Sequence, residues 1–75
     1  MLPITEAHRH AEPWDLRAKE RDRLHLTWEK RRWTRKRLIT ARGREIALAL
    51  PTGSVLQPGE ILAVEADWYL VVEGL

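Results

Sequence analysis

Cysteine and phenylalanine are both absent from this 75-residue sequence, and so is any long apolar run. Without cysteine, neither a disulfide nor a thiolate metal site is available to stabilise the chain. A membrane-spanning helix needs about 20 consecutive apolar residues, so the sequence predicts no span. The segment from Met1 to His10 carries charges and a proline but no apolar core, unlike a signal peptide. We therefore expect a soluble, cytoplasmic protein.

Residues that would indicate catalysis are also scarce. Ser54 is the only serine, it lies in a turn-like segment, and no glycine-rich phosphate loop is present. No nucleophile therefore occurs in a recognisable catalytic motif. The sequence predicts a single small domain over residues 1–75 that is not an enzyme.

The charge is unevenly distributed, although the net charge is only +2. The segment Arg17–Arg44 holds twelve Lys or Arg and three acidic residues, which gives it a net charge of +9. The rest of the chain contains Arg9 against eight acidic residues and is therefore −7. This asymmetry indicates either two faces of opposite charge or one solvated basic ribbon.

The second half of the sequence has the alternation of β-strands. In residues 44–50 the large apolar residues recur at every second position, with Ala47 and Ala49 on the opposite face, open to close approach by another layer. Gln57–Glu60 has proline and glycine at the positions that favour a type II turn. The apolar run Ile61–Val64 is typical of a strand covered on both faces. A last strand is predicted over residues 68–72, where aromatic and β-branched residues dominate.

The first half has a conflict between propensity and periodicity. Residues 15–37 are rich in helix formers, but Leu24, Leu26 and Trp28 alternate with polar residues as in a strand. We predict an early strand near residues 2–8, a loop over 9–16, a strand near 23–28, one helical turn near 29–33 and a strand near 35–40. The residues 41–43 then turn the chain into the 44–50 strand.

Several sequence segments, taken in their order along the chain, resemble those of one known family. They are a Trp-Glu pair after an alternating strand, an arginine-rich stretch, a Gly-Arg-Glu opening to an apolar strand ending in Leu-Pro, and a turn with glycine followed by an acid. Their spacing matches without insertion over roughly residues 23–72. The segments are Arg23–Glu29, Arg35, Arg37, Gly43–Pro51 and Gly53–Leu62. The chain is similar to the amino-terminal domain of UreE-type urease accessory proteins, which are nickel metallochaperones.

The resemblance implies an all-β fold of two small stacked mixed sheets, with at most one short helical turn near residues 29–33. It implies nickel delivery and urease maturation as the function, with urease and its other accessory proteins as partners. In this family a second, carboxy-terminal domain and a histidine-rich tail carry the nickel. We expect that domain to be absent from the 75 residues and no cofactor to be bound by them. The family dimerises mainly through that second domain, so a monomer and weak self-association both stay open here.

The basic stretch allows three interpretations. It could be a solvated edge that discourages strand pairing, a surface for an acidic protein partner, or a nucleic-acid surface in which tryptophan stacks on bases. The resemblance favours the protein partner, and the alternative function is a small basic β-module that binds nucleic acid. The predicted partner-binding residues are Arg31, Arg32, Trp33, Arg35, Lys36 and Arg37.

Histidine and tryptophan positions complete the set of candidates. His8 and His10 could join His25 in a nickel site, because imidazole suits nickel; the simpler expectation is that all three are surface residues and that no metal is bound. Trp28 is expected in the core with Leu24 and Leu26. Trp33 and Trp68 could be either core residues or anchors for a partner.

Overall fold

Six strands and one 3₁₀ turn make up the regular structure in a computed structural model that describes residues 1–7 and 16–75. The loop predicted over residues 9–16 falls almost entirely outside the described residues. The strands are β1 Leu2–Ile4, β2 Glu20–Leu26, β3 Arg35–Ile39, β4 Glu45–Ala49, β5 Ile61–Val64 and β6 Trp68–Gly74, with the 3₁₀ turn at Lys30–Arg32 between β2 and β3.

The strands form two three-stranded sheets, with strand orders β1-β4-β3 and β2-β6-β5. In the first sheet β1 runs parallel to β4, while β3 pairs with β4 as an antiparallel hairpin. The second sheet repeats this plan, because β2 is parallel to β6 and β5 is antiparallel to it. The predicted all-β fold of two mixed sheets, with one short helical turn, is confirmed.

The core lies between the two sheets and consists of their inward-facing aliphatic side chains. Because side chains alternate along a strand, every second residue of each sheet contributes to it. The first sheet gives Ile4, Ile46 and Leu48, and the second gives Leu24 and Leu70 among others. Burying each such side chain contributes roughly 1.5–3 kcal/mol to folding.

The face of β4 opposite the core is more open than the sequence suggested. Ala49 is exposed and Ala47 is half-buried. The small side chains were expected to allow close approach by another layer. Instead they leave a shallow outer surface on the first sheet, next to the exposed arginines of β3.

The strand predicted over residues 23–28 begins three residues earlier and ends two residues earlier in the structure. It begins at Glu20 and ends at Leu26, with Asp22, Leu24 and Leu26 as its buried positions. The prediction that Trp28 is a core residue is therefore wrong, because Trp28 lies beyond the strand and its side chain is 58% exposed. The alternation continues through Trp28 in the sequence, but the chain has already left the sheet.

The turn between Gln57 and Glu60 forms as predicted. The amide of Glu60 donates to the carbonyl of Gln57 over 3.1 Å, and Gly59 has φ +91°. A positive φ at the third position is the defining requirement of a type II turn. In β5, which follows, the register shifts between Ile61 and Ala63. This bulge explains why two consecutive residues, Ile61 and Leu62, are both buried.

Candidate docking surface

The predicted partner-binding residues lie on two consecutive elements at one edge of the first sheet. The 3₁₀ turn carries the first arginines, and β3 is an outermost strand, because it pairs with β4 alone among the described strands. The six predicted residues therefore form one continuous stretch of surface, which we call the basic edge. Its members are Arg31, Arg32, Trp33, Arg35, Lys36 and Arg37.

Trp33 joins the basic edge to the core. It is half-buried and packs against the hydrophobic cluster between the sheets. Two ammonium groups lie over its ring, with Lys36 Nζ 4.9 Å and Lys30 Nζ 5.7 Å from the ring centroid. A cation within about 6 Å of an indole centroid is attracted by the ring quadrupole. Of the two roles predicted for Trp33, the core role is the one that the packing supports.

The exposed Trp28 lies next to the half-buried Arg31 of the basic edge. The guanidinium carbon of Arg31 lies 5.0 Å from the centroid of the Trp28 ring. The main chain of Arg31 is held on both sides, since its N–H donates to the carbonyl of Thr27 and its carbonyl accepts from Leu56. Its buried Nε has no acceptor within the part of the chain that the structure describes. The described residues thus leave one donor of this guanidinium without an acceptor.

The exposed arginines of the basic edge have no counterion among the described residues. Arg32, Arg35 and Arg37 are all exposed, and none of them lies within ion-pair distance of an acidic side chain in residues 1–7 or 16–75. Two of the three project from the outer face of β3, at alternate positions. Their charge is therefore available to an external partner.

Two arginines outside the basic edge have close acidic partners. Arg44 bridges Glu20 at 3.0 Å and Asp22 at 2.9 Å. Arg23 bridges Glu73 at 3.0 Å. Within the described residues, Arg23 and Arg44 are therefore neutralised by acidic neighbours, whereas the exposed arginines of the basic edge are not.

Asp22 is the residue that sequence reasoning missed. Its side chain is 0% exposed. Its carboxylate accepts hydrogen bonds from the Thr40 hydroxyl at 2.5 Å, the Arg44 guanidinium at 2.9 Å, and the backbone N–H groups of Arg23 at 2.8 Å and Arg42 at 3.1 Å. Because Asp22 lies on β2 and three of the donors lie on the turn between β3 and β4, these bonds connect the two sheets.

The hydrogen bonds determine the charge state of this carboxylate. Burial alone would raise the pKa of Asp22, but the bonds from Thr40, Arg44 and the two backbone N–H groups outweigh burial and hold that pKa below its ordinary value. The bond to Asp22 in turn raises the pKa of Arg44.

The sequence contained one signal for the burial of Asp22, which is its position in the strand. Extending the alternation of Leu24 and Leu26 backwards places Asp22 on the core side of β2.

Trp68 belongs to the same arrangement rather than to the basic edge. It packs against the core cluster, and the Arg44 guanidinium carbon lies 4.2 Å from its ring centroid. Of the two roles left open for Trp68, core residue or partner anchor, the packing supports the core role, with the Arg44 guanidinium over the ring.

Of the three histidines, only His25 lies in the described part of the chain. His25 is exposed on the outer face of β2, with its Nε2 3.9 Å from the carboxylate of Glu73. His8 and His10 lie outside the described residues, so a three-histidine nickel site stays a prediction. Across residues 1–7 and 16–75, no group of three or more His, Cys, Asp or Glu side chains is placed to hold a metal ion. No helix in these same residues is long and apolar enough to cross a membrane.

Fold and surface together define a small all-β domain built from two mixed sheets, with a strongly basic strand at one edge of the first sheet. The family model described as UreE urease accessory protein, N-terminal domain, matches residues 2–73. Since the match covers nearly the whole chain, the chain belongs to this family, and the resemblance seen in the sequence is confirmed.

A curated relative supports the same assignment. The urease accessory protein UreE of Synechococcus sp. (strain JA-3-3Ab) is 56% identical over 50 residues, which is 65% of this chain and 34% of the relative. The chain thus aligns with only about a third of the length of the curated relative it matches.

Proposed function

We propose that this chain is the protein-interaction domain of a urease nickel chaperone and that its task is docking rather than catalysis. Nickel is the cargo, and the partners are urease and its other accessory proteins. The family assignment supports the connection to urease. The basic edge supports docking as the specific role, and the cytoplasmic location stays a prediction.

The observation that carries the proposal is the contrast between paired and unpaired arginines. Arg23 and Arg44 are neutralised by acidic neighbours, whereas Arg35 and Arg37 are exposed on an edge strand without any in the described residues. Arginine binds carboxylates through two parallel hydrogen bonds, which favours an acidic protein surface as the partner. The half-buried Trp33 fixes the stretch rigidly to the core.

Such a surface acts mainly on encounter and specificity. Complementary charge accelerates association and discriminates against wrong partners more than it adds affinity. Docking through this domain would then keep a tethered nickel-binding segment close to its recipient and raise the effective concentration of the metal. We propose that the nickel ligands lie outside these 75 residues.

The test is a binding titration of the chain against urease apoprotein and the other urease accessory proteins. We expect saturable binding that Arg35→Glu weakens about tenfold or more, while Arg21→Glu changes it less than about twofold. Arg21 is a matched control, because it is also an exposed strand arginine but lies on β2 in the other sheet. Equal effects of the two substitutions would contradict a docking role for the basic edge.

Nucleic acid is the competing partner, and the exposed Trp28 beside Arg31 is the observation that favours it. The same titration against single-stranded and duplex oligonucleotides at two salt concentrations separates the two. Tight binding with a steep salt dependence, without binding to urease components, would establish the nucleic-acid function instead. Equilibrium dialysis with nickel decides the histidine alternative, and we expect no nickel to be retained at micromolar concentration.

A further inference from the structure

The backbone of β3 has a row of hydrogen-bonding groups directed away from its sheet. In the β3–β4 hairpin the backbone N–H of Thr40 donates to the carbonyl of Arg44, and the backbone N–H of Leu50 donates to the carbonyl of Thr34. In an antiparallel ladder these bonded pairs alternate with unbonded ones. By the register, Arg35, Arg37 and Ile39 are the unbonded positions. Their N–H and C=O groups therefore point outward from the edge.

The other three sheet edges are less suited to pairing. Strand β1 is only three residues long and contains Pro3, which has no N–H. Strand β5 is interrupted by its bulge. Strand β2 already uses the carbonyl of Arg23 to accept from Ala41. Short strands, proline and bulges are the usual means of blocking an edge, and β3 has none of them.

Charge also protects edges, and the three consecutive cations of β3 could serve only that purpose. The residues at the end of the strand argue otherwise. Ile39 is 66% exposed and Met1 is 61% exposed, and both line a groove of about 370 Å³. Leu38 and Ile46 complete its apolar part, and Arg37 and Glu45 are its charged lining residues. A strand shaped only to repel neighbours would gain nothing from an exposed isoleucine beside a partly apolar groove.

We infer that β3 binds an extended acidic segment of a partner protein as an added strand. The inference rests on the proposed docking function and specifies how the partner is held. Because side chains opposite one another share a face, acidic residues of the incoming strand would lie beside Arg35 and Arg37. An apolar residue two positions further would lie beside Ile39, at the groove.

An antiparallel arrangement fixes the sequence pattern of the segment. Antiparallel pairs are the commoner kind and are slightly more stable per residue. The segment then reads apolar, any residue, acidic, any residue, acidic, from its amino to its carboxyl end. The amides of the apolar and acidic residues bond to β3, while those of the intervening residues face solvent.

The test uses a short peptide with Leu-Thr-Glu-Thr-Glu at its centre, titrated against this chain by fluorescence anisotropy. N-methylation of the leucine and glutamate amides removes the bonding N–H groups, whereas N-methylation of the threonine amides is the matched control. We expect the first set to weaken binding about tenfold or more and the second to change it less than about threefold. Arg37→Glu should weaken binding of the unmodified peptide similarly, and Arg21→Glu should not.

Equal binding of the two methylated peptides would overturn strand addition, because the bonding pattern would then be irrelevant. Failure of every peptide, while urease components still bind in a manner that depends on Arg35, would also overturn it but leave the docking function intact. Failure of both kinds of ligand would remove the docking function as well.

Discussion

At the scale of single residues, the two most informative positions are Asp22 and Trp28, which have the opposite environments to those that their types suggest. Asp22 is fully buried and accepts four hydrogen bonds, while Trp28 is 58% exposed. A buried carboxylate is tolerated only when its hydrogen bonds compensate for the loss of water. Here the donors come mostly from the β3–β4 turn, so one side chain fixes how the two sheets meet.

Replacing the buried carboxylate should destabilise the domain. Asp22→Asn removes the charge opposite Arg44 and leaves fewer acceptor sites for the four donors, at a cost of about 1–3 kcal/mol. The measurement is the urea unfolding midpoint. Glu20→Gln is the control, because Glu20 also bridges Arg44 but is partly exposed, and such pairs contribute about 0–1 kcal/mol. A cost for Asp22→Asn no larger than that of the control would contradict the structural role.

The same residue should make stability depend on pH in the acid range. The pKa of Asp22 in the folded chain lies below its ordinary value, which is about 3.9 in the unfolded chain. Its contribution is therefore fully present above that unfolded pKa and is lost as the pH falls through the folded one. Unfolding followed from pH 6 downward should show the wild type losing more stability than Asp22→Asn below about pH 4. Parallel curves for the two proteins would disprove this.

Trp28 and Trp33 should respond differently to truncation. Trp28→Ala should change the free energy of unfolding by no more than about 0.5 kcal/mol, because the ring is mostly in water. Trp33→Ala should cost about 2 kcal/mol, since Trp33 packs against the core cluster. Chemical denaturation measures both, and equal effects would mean that the burial assigned to one of the rings is incorrect.

At the scale of elements, the alternation of apolar residues predicted nearly every strand, and turn chemistry predicted the joints between them. Ile46, Leu48 and the turn around Gly59 follow from sequence alone because their local preferences agree with their final environments. The start of β2 did not follow, since a charged residue occupies a core-facing position of that strand. What satisfies Asp22 comes from residues about 20 positions away, which local patterns cannot show.

The candidate site was predictable to a similar degree. That the residues of the basic edge share one stretch of surface follows from the sequence, because consecutive cations on a strand and turn stay together in any fold. Their role in binding a partner stays a prediction. The sequence could not show which arginines have acidic partners. Arg44 and Arg35 look alike in sequence. In the structure Arg44 contacts Glu20 and Asp22 of β2, whereas Arg35 has no acidic partner among the described residues.

Another element-scale prediction concerns the contact between the end of β6 and the turn before β5. A Cβ placed on Gly74 would lie 2.9 Å from Pro58 Cγ and 3.6 Å from Pro58 Cβ. Gly74→Ala should therefore destabilise the wild type by about 1–3 kcal/mol through overpacking. In a Pro58→Ala background the closer atom is gone, so the same substitution should cost less. Additive effects in this double-mutant cycle, measured by urea unfolding, would show that the contact does not limit the packing.

At the scale of the whole molecule, the distribution of charge matters more than its total. Arg44 stabilises the junction of the sheets, while Arg35 and Arg37 lie on one edge without an acidic partner among the described residues, so a net charge of only +2 still leaves a locally strong positive field. A field of this kind accelerates association with an acidic partner and is screened by salt over roughly 8–10 Å.

Docking should accordingly lose speed at high salt. Raising ionic strength from about 0.05 M to 0.5 M should lower the association rate constant for urease components several-fold and change the dissociation rate much less. Stopped-flow or surface-plasmon measurements provide both rates, with Arg35→Glu as a comparison that should show a weaker salt dependence. A salt effect confined to dissociation would contradict electrostatic steering by the basic edge.

The most direct test of a docking role for the basic edge is chemical-shift mapping of the isotopically labelled chain as urease components are added. We predict that the largest changes fall on amides of residues 31–39, with those of Arg35, Arg37 and Ile39 also gaining protection from hydrogen exchange. Changes concentrated on the β5–β6 hairpin, with residues 31–39 unaffected, would contradict it.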